Sequence, residues 1–269
     1  MTSLKTSFTD LKSTPRMPAL FIGHGSPMNA IEDNEFSRGW KTMGEALPVP
    51  NAILCISAHW MTRGTTLVNV TKKPETIHDF GGFPRQLFEQ QYPAPGAPDF
   101  AEATIDLVKK SHVDADDEWG LDHGAWSVLI KMFPKADIPV YQLSLDLRKS
   151  PDEHFELARE LSALREKGVM IIGSGNIVHN LMAMQPGAKP YEWAETFDRH
   201  IASRLDARDF AALKTVGALG QITRMAHPTS EHYLPLLYVA GVAKDQEDLK
   251  FFNASFDLAS ISMRSFVLS

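Results

Sequence analysis

Four short, uninterrupted apolar runs set the limits on what this chain can fold into: Ala19 to Gly23 (ALFIG), Ala52 to Ser57 (AILCIS), Pro139 to Leu145 (PVYQLSL) and Val169 to Gly173 (VMIIG). Runs of this length bounded by Gly or Pro read as strands, and strands apolar on both sides need cover on both faces of their sheet. The segments between them, Glu35 to Leu47, Asp99 to Lys110, Pro151 to Lys167 and Tyr191 to Leu205, carry helical spacing. In the third, Phe155, Leu157, Ala158, Leu161 and Leu164 gather opposite Glu153, Glu156, Glu160 and Arg165. Ser150 is placed to cap it, Pro151 to start it and Gly168 to stop it. A last strand is expected over Ile261 to Leu268. The alternation predicts a single α/β domain over 17–269, with a mostly parallel central sheet covered by helices on both faces. Residues 1–16 are polar and rich in Ser and Thr, and read as a frayed or disordered tail without the apolar segment of a secretory leader. No stretch approaches the roughly 18 apolar residues of a membrane span.

The residues just past the strand ends are more informative than the strands themselves. ALFIG runs into His24 within GHGSP, AILCIS into His59 within SAHW, and VMIIG into His179 within GSGNIVHN. In open α/β sheets, ligands bind outside the carboxyl ends of the strands, so three His delivered there can converge although they are far apart in sequence. His232, in SEHYLPLLYVAG, opens a helix that Thr229 or Ser230 would cap, and His123, in GLDHGAW, falls in a loop before the helix Ala125 to Phe133. A lone His after a strand is ordinarily a hydrogen-bonded structural residue. Several at strand ends, flanked by Gly, point to a shared site that binds a metal, moves protons, or both. His112, His154 and His200 sit in polar helical surroundings and are expected to be solvated.

Composition narrows the donor chemistry. Ten His stand against one Cys, Cys55, which leaves no disulfide and no thiolate metal cluster and fits a reducing, cytoplasmic setting. The net charge of −6 argues against general affinity for nucleic acid or an anionic membrane, and favours a small-molecule ligand. Familiar motifs fail: Val178 stands where the third glycine of GxGxxG belongs, there is no P-loop, neither Ser26 nor Ser174 satisfies GxSxG, and HPTSEH is not HExxH.

The motifs GHGSP, SAHW, HDFGGFP (from His78), DHGAW, GNIVHN and EHYLPLLYVAG occur in an order that resembles the LigB-like class III extradiol ring-cleavage dioxygenases, in their 4,5-DOPA dioxygenase branch. The resemblance runs from about Pro18 to the C-terminus. It implies one mononuclear divalent metal and the opening of a catechol by O2, with L-DOPA cleaved between ring carbons 4 and 5. It places His24, His59, His179 and His232 in the metal shell, with Glu231 as the alternative ligand, and makes His123 and His179 the acid/base groups. His78, Phe80, Phe83 and Trp60 would meet the substrate, although each aromatic is equally readable as ordinary core. The resemblance also implies Zn(2+) in the purified protein. Ring cleavage needs a metal that relays electrons, which Fe(2+) does and redox-silent zinc does not. Two other classes share the residues: a zinc hydrolase, and a metal-binding interaction protein without catalysis. A homo-oligomer is compatible with the sequence.

Overall fold

Strands β1 (Ala19–Gly23), β2 (Ala52–Ser57), β3 (Val140–Gln142) and β4 (Val169–Gly175) lie parallel in the order β3-β2-β4-β1. Two antiparallel strands extend the sheet beyond β1: β6 (Ser265–Leu268), then β5 (Leu249–Phe252). This computed structural model describes residues 6–269. Flanking the sheet are α1 (Glu35–Ala46), α2 (Pro98–Leu107), α3 (His123–Met132), α4 (Pro151–Leu161), α5 (Glu192–Asp206) and α6 (Leu234–Gly241).

Alternate residues of a strand leave on opposite faces, and here both faces are apolar. Phe21, Leu54, Ile56 and Ile171 enter one core with α2, α4, α5 and α6. Leu20, Ile22, Ile53, Met170 and Ile172 enter the other, beneath Phe36 and Trp40 of α1 and Trp126 and Leu129 of α3. This is the doubly covered, mostly parallel sheet that the uninterrupted runs predict. Ser150 accepts from the Glu153 amide, Glu153 reaches back to the Ser150 amide, and Gly168 closes the segment at φ 83°, so the signals for start and stop act as read.

The differences have local causes. The run expected as one strand from Pro139 to Leu145 is divided: Leu145–Asp146 leaves the sheet to pair with Met61–Thr62. The segment from Ile261 to Leu268 is likewise broken, because Ile261–Ser262 pairs with Phe256–Asp257 before β6 begins. The helix expected to run to Lys167 tightens into a 3-10 segment from Ser162. From residue 6 the polar N-terminal stretch is tied down, not frayed. The Thr6 and Phe8 amides donate to Glu102 and Asp106 of α2, at 2.8 and 3.0 Å, and the Thr14 amide donates to the Glu166 carbonyl. Phe8 packs on the core, and the rest of the expected tail lies outside the described residues. Among the described residues, no helix is long and apolar enough to cross a membrane.

His112 is exposed and His200 partly so, but His154 is buried, with Nδ1 and the Tyr238 hydroxyl hydrogen-bonded at 2.9 Å. Burial, and then the Lys149 charge, pull its pKa from 6.5 to about 4. Below pH 6.5 the unfolded chain therefore binds a proton that the folded one refuses, and stability falls as pH drops toward 4. By pH 5 this amounts to about 2 kcal/mol. The wild-type urea midpoint should fall more between pH 7 and pH 5 than that of His154→Gln; equal falls would contradict the assignment.

Candidate metal centre

The strand register brings the carboxyl ends of β1, β2 and β4 level, with Gly23 beside Gly175 and Ser57 beside Ser174. His24 follows β1 directly, with His59 just past β2 and His179 just past β4. His232 reaches the same place from the other side of the chain. Its carbonyl accepts from the Asn176 amide at 2.9 Å, and a Cβ on Gly175 would collide with that carbonyl, so the glycine lets the two backbones touch. Neither Thr229 nor Ser230 caps the following helix. α6 starts at Leu234 without a side-chain cap, and Thr229 instead donates to Glu231. His123 is the first residue of α3 and not part of a loop, because Asp122 caps that helix by accepting from the Ala125 amide at 3.2 Å. Ser57 and Gln142 in turn donate to Asp122 at 2.6 and 2.8 Å.

Five imidazoles meet. Nε2 of His24 and Nε2 of His59 face each other at 3.1 Å. The His59 and His123 ring centroids are 3.8 Å apart, and His232 lies 5.2 Å from His24 and 5.0 Å from His59 by the same measure. His179 stacks flat on His232, 3.4 Å apart and 6° from parallel. Potential ligand atoms form two sets, each within 4.8 Å: His24, His59 and His123, and His179, Glu231 and His232. The four His expected in one shell are thus divided between two adjoining sets, and His123 stands with His24 and His59.

Partners on the far side of each ring decide which nitrogen is available. Ser174 Oγ donates to the Gly124 carbonyl at 2.5 Å, so toward His24 Nδ1, 3.0 Å away, it can only accept. His24 therefore carries its proton on Nδ1. Carboxylates impose the same tautomer elsewhere. Asp79 Oδ2 takes the His123 Nδ1 proton at 2.9 Å and lies 3.4 Å from His59 Nδ1, and Glu231 Oε1 accepts from His232 Nδ1 at 3.2 Å. The Nε2 of His24, His123 and His232 is thereby left as a lone pair. That of His232 is buried with no hydrogen-bond partner among the described residues, and those of His24 and His59 point at one another. Two imidazole nitrogens facing at this distance share a proton or a metal ion, and imidazoles oriented by a carboxylate or hydroxyl are the ordinary ligands of a divalent metal.

A proton is a poor substitute for that cation. Burial, and then the neighbouring imidazoles, hold His24 and His232 well below the usual histidine range. His59 is pulled to about 3, by burial first and then His123, and His179 to about 4, by burial and then His227. Near neutrality the site therefore presents uncharged donors, as metal binding requires.

The rings form the floor of a cavity of about 430 Å³, walled by Phe80, Phe83, Leu181, Met184, Leu258 and Ile261. Phe80 and Phe83 stand where the sequence suggests. Trp60 and His78 do not reach the cavity. Trp60 is buried, stacked on Trp119 at 5.4 Å, and His78 donates from Nε2 to the Gln90 carbonyl at 3.0 Å. Sequence reasoning passed over Asp79, although it sits beside His78 in the HDFGG motif. It also missed Ser174 and the aliphatic wall from Leu181 and Met184.

A family model described as the catalytic LigB subunit of aromatic ring-opening dioxygenase matches residues 18–268. The chain is 45% identical over 262 residues to a protein of Escherichia coli (strain K12) named 4,5-DOPA dioxygenase extradiol, covering 95% of this chain and 96% of that one. A Beta vulgaris protein of the same name is 37% identical over 256 residues, covering 91% and 94% of the two chains. A crystal structure of an uncharacterized protein from Escherichia coli K12 superimposes with a TM-score of 0.83 at 40% identity, over 94% of this chain and all of the other. The six motifs, the strand-end imidazoles and these matches agree: the chain belongs to the LigB family of aromatic ring-opening extradiol dioxygenases.

Proposed function

We propose that the protein opens the ring of L-DOPA with dioxygen between ring carbons 4 and 5, on a divalent metal held by His24, His59 and His232. The observation that carries this reading is the set of Nε2 lone pairs at the floor of an aromatic-walled cavity large enough for one catechol. The names of the E. coli and Beta vulgaris relatives support the choice of DOPA. Glu231 stands behind His232, holding its Nδ1 proton, which favours the imidazole over the carboxylate as ligand. When bound, Fe(II) supplies the electron relay from catecholate to dioxygen that zinc cannot. The lone Cys55 lies buried inside β2, in keeping with imidazole ligation and a reducing cytoplasm.

The remaining tasks fall to side chains. Phe80 and Phe83 grip the ring faces and exclude water. His179, stacked on His232 and without a side-chain hydrogen bond among the described residues, is the fourth imidazole of the resting shell and the proton acceptor once a catechol enters. His123, oriented through Nδ1 by Asp79, is the second proton carrier. The carbon–carbon bond beside one hydroxyl-bearing carbon breaks. Both oxygen atoms enter the product, leaving one carboxylate and one aldehyde end, so no external reductant is consumed.

Protein loaded anaerobically with Fe(II) should take up about one O2 per L-DOPA opened, and the zinc-loaded protein none. If L-DOPA and simple catechols stay intact with iron verified in place, the hydrolase or non-catalytic reading replaces this one.

A further inference from the structure

Apart from its imidazoles, the charged side chains on the cavity wall are Asp79 and Asp257; among the described residues no Lys or Arg lines it. Asp79 is committed to His123 and His59. Asp257 has no charged partner: a backbone hydrogen bond from Leu258 reaches it, but among the described residues it forms no ion pair and accepts from no side-chain donor. It ends the short strand Phe256–Asp257, whose pairing with Ile261–Ser262 makes a hairpin over the cavity, with Leu258 and Ile261 in the wall. At Asp257 the cavity adjoins a second depression of about 540 Å³, which shares Ser26, Asp257 and Leu258 with it and is lined also by Glu32 and Glu35. The one Arg there, Arg38, is already paired with Asp33 at 3.1 Å. Burial, and then the Glu32 and Glu35 charges, raise the Asp257 carboxyl above its usual range. A carboxylate crowded by other carboxylates gains from an arriving cation, and an anion arriving there meets only repulsion.

We infer that the site selects catechols by the charge of the tail: Asp257 receives a cationic amine, so catecholamines and catecholic amino acids are admitted and purely carboxylic catechols are disfavoured. The inference rests on the reading of this cavity as a catechol site. L-DOPA fits through its ammonium group, leaving its carboxylate to solvent. Catechols with bulk similar to DOPA are thereby separated by a single feature, the sign of charge some bonds away from the ring.

The test compares dopamine with 3-(3,4-dihydroxyphenyl)propionate, which has a similar ring and reach with opposite charge. Calorimetric affinities are taken without oxygen on the iron-loaded protein, and kcat/KM with it. Dopamine should bind about tenfold or more tightly, the scale of one partly screened charge contact. In Asp257→Asn the ratio of the two affinities should collapse toward one, whereas Asp257→Glu should keep it; the ratio cancels any general effect of substitution on the cavity. Equal binding by the wild type, or an unchanged ratio in Asp257→Asn, overturns the inference even if both catechols are opened. A preference for dopamine without oxygen uptake upholds it and overturns the dioxygenase reading instead.

Discussion

His24→Ala and His59→Ala should each lose the metal and with it all ring opening, while circular dichroism and cooperative unfolding persist. The two rings form the facing Nε2 pair, with Ser174 on the Nδ1 side of His24 and Asp79 on that of His59. Removing either of these imidazoles from a site without thiolates leaves a donor set that exchanges its metal freely on dialysis. The fold should tolerate the change because both side chains lie past the strand ends. The two cores are built from Phe21, Leu54 and Ile171 on one face and Ile22, Ile53 and Ile172 on the other, all within the strands and short of His24 and His59. Metal content after dialysis is the direct measurement. Wild type should retain about one ion per chain and each variant less than a tenth of that. Full occupancy in either variant would remove the proposed centre, whatever the activity.

The parts of this molecule legible in the sequence are those dictated by local physics. ALFIG and AILCIS become β1 and β2 to the residue, because an uninterrupted apolar run has only the interior of a covered sheet to occupy. Ser150, Pro151 and Gly168 mark their segment because caps act over one turn. The convergence of His24, His59 and His179 is also legible, since parallel strands deliver their ends to one edge. Long-range pairing was not legible. His154 looks solvated beside Glu153 and Glu156, yet Tyr238, far along the chain, folds over it. Trp60 and His78 carry the right chemistry for a pocket wall, but they are turned away by Trp119 and by the Gln90 carbonyl. The division of the imidazoles into two sets depends on ring rotations decided by Ser174, Asp79 and Glu231. Spacing along the chain does not encode those rotations.

Asp79→Asn should lower kcat by roughly 10²–10⁴-fold, with a smaller loss of metal. This one carboxylate takes the His123 backbone amide on Oδ1 and the His123 Nδ1 proton on Oδ2, both at 2.9 Å, and lies 3.4 Å from His59 Nδ1. Burial alone would raise its pKa, but hydrogen bonds and charge from His123, and then the His59 charge, hold it below the usual carboxylate value. It is therefore ionised at neutral pH, and His123 keeps its proton on the side away from the cavity. Asn has nearly the same shape, but its amide can present an N–H toward His123. An N–H facing Nδ1 forces the imidazole proton onto Nε2, the nitrogen meant to accept from substrate. The backbone amide of His123 can still be satisfied by the Asn oxygen, so α3 and the fold should survive. A general loosening of the cavity would raise KM with little change in kcat. A tautomer error should instead lower kcat and leave the affinity for catechol, measured without oxygen, nearly intact. Asp79→Glu should restore activity in part, because the longer carboxylate still accepts. Equal kcat in wild type and Asp79→Asn would show that the orientation of His123 has no bearing on turnover.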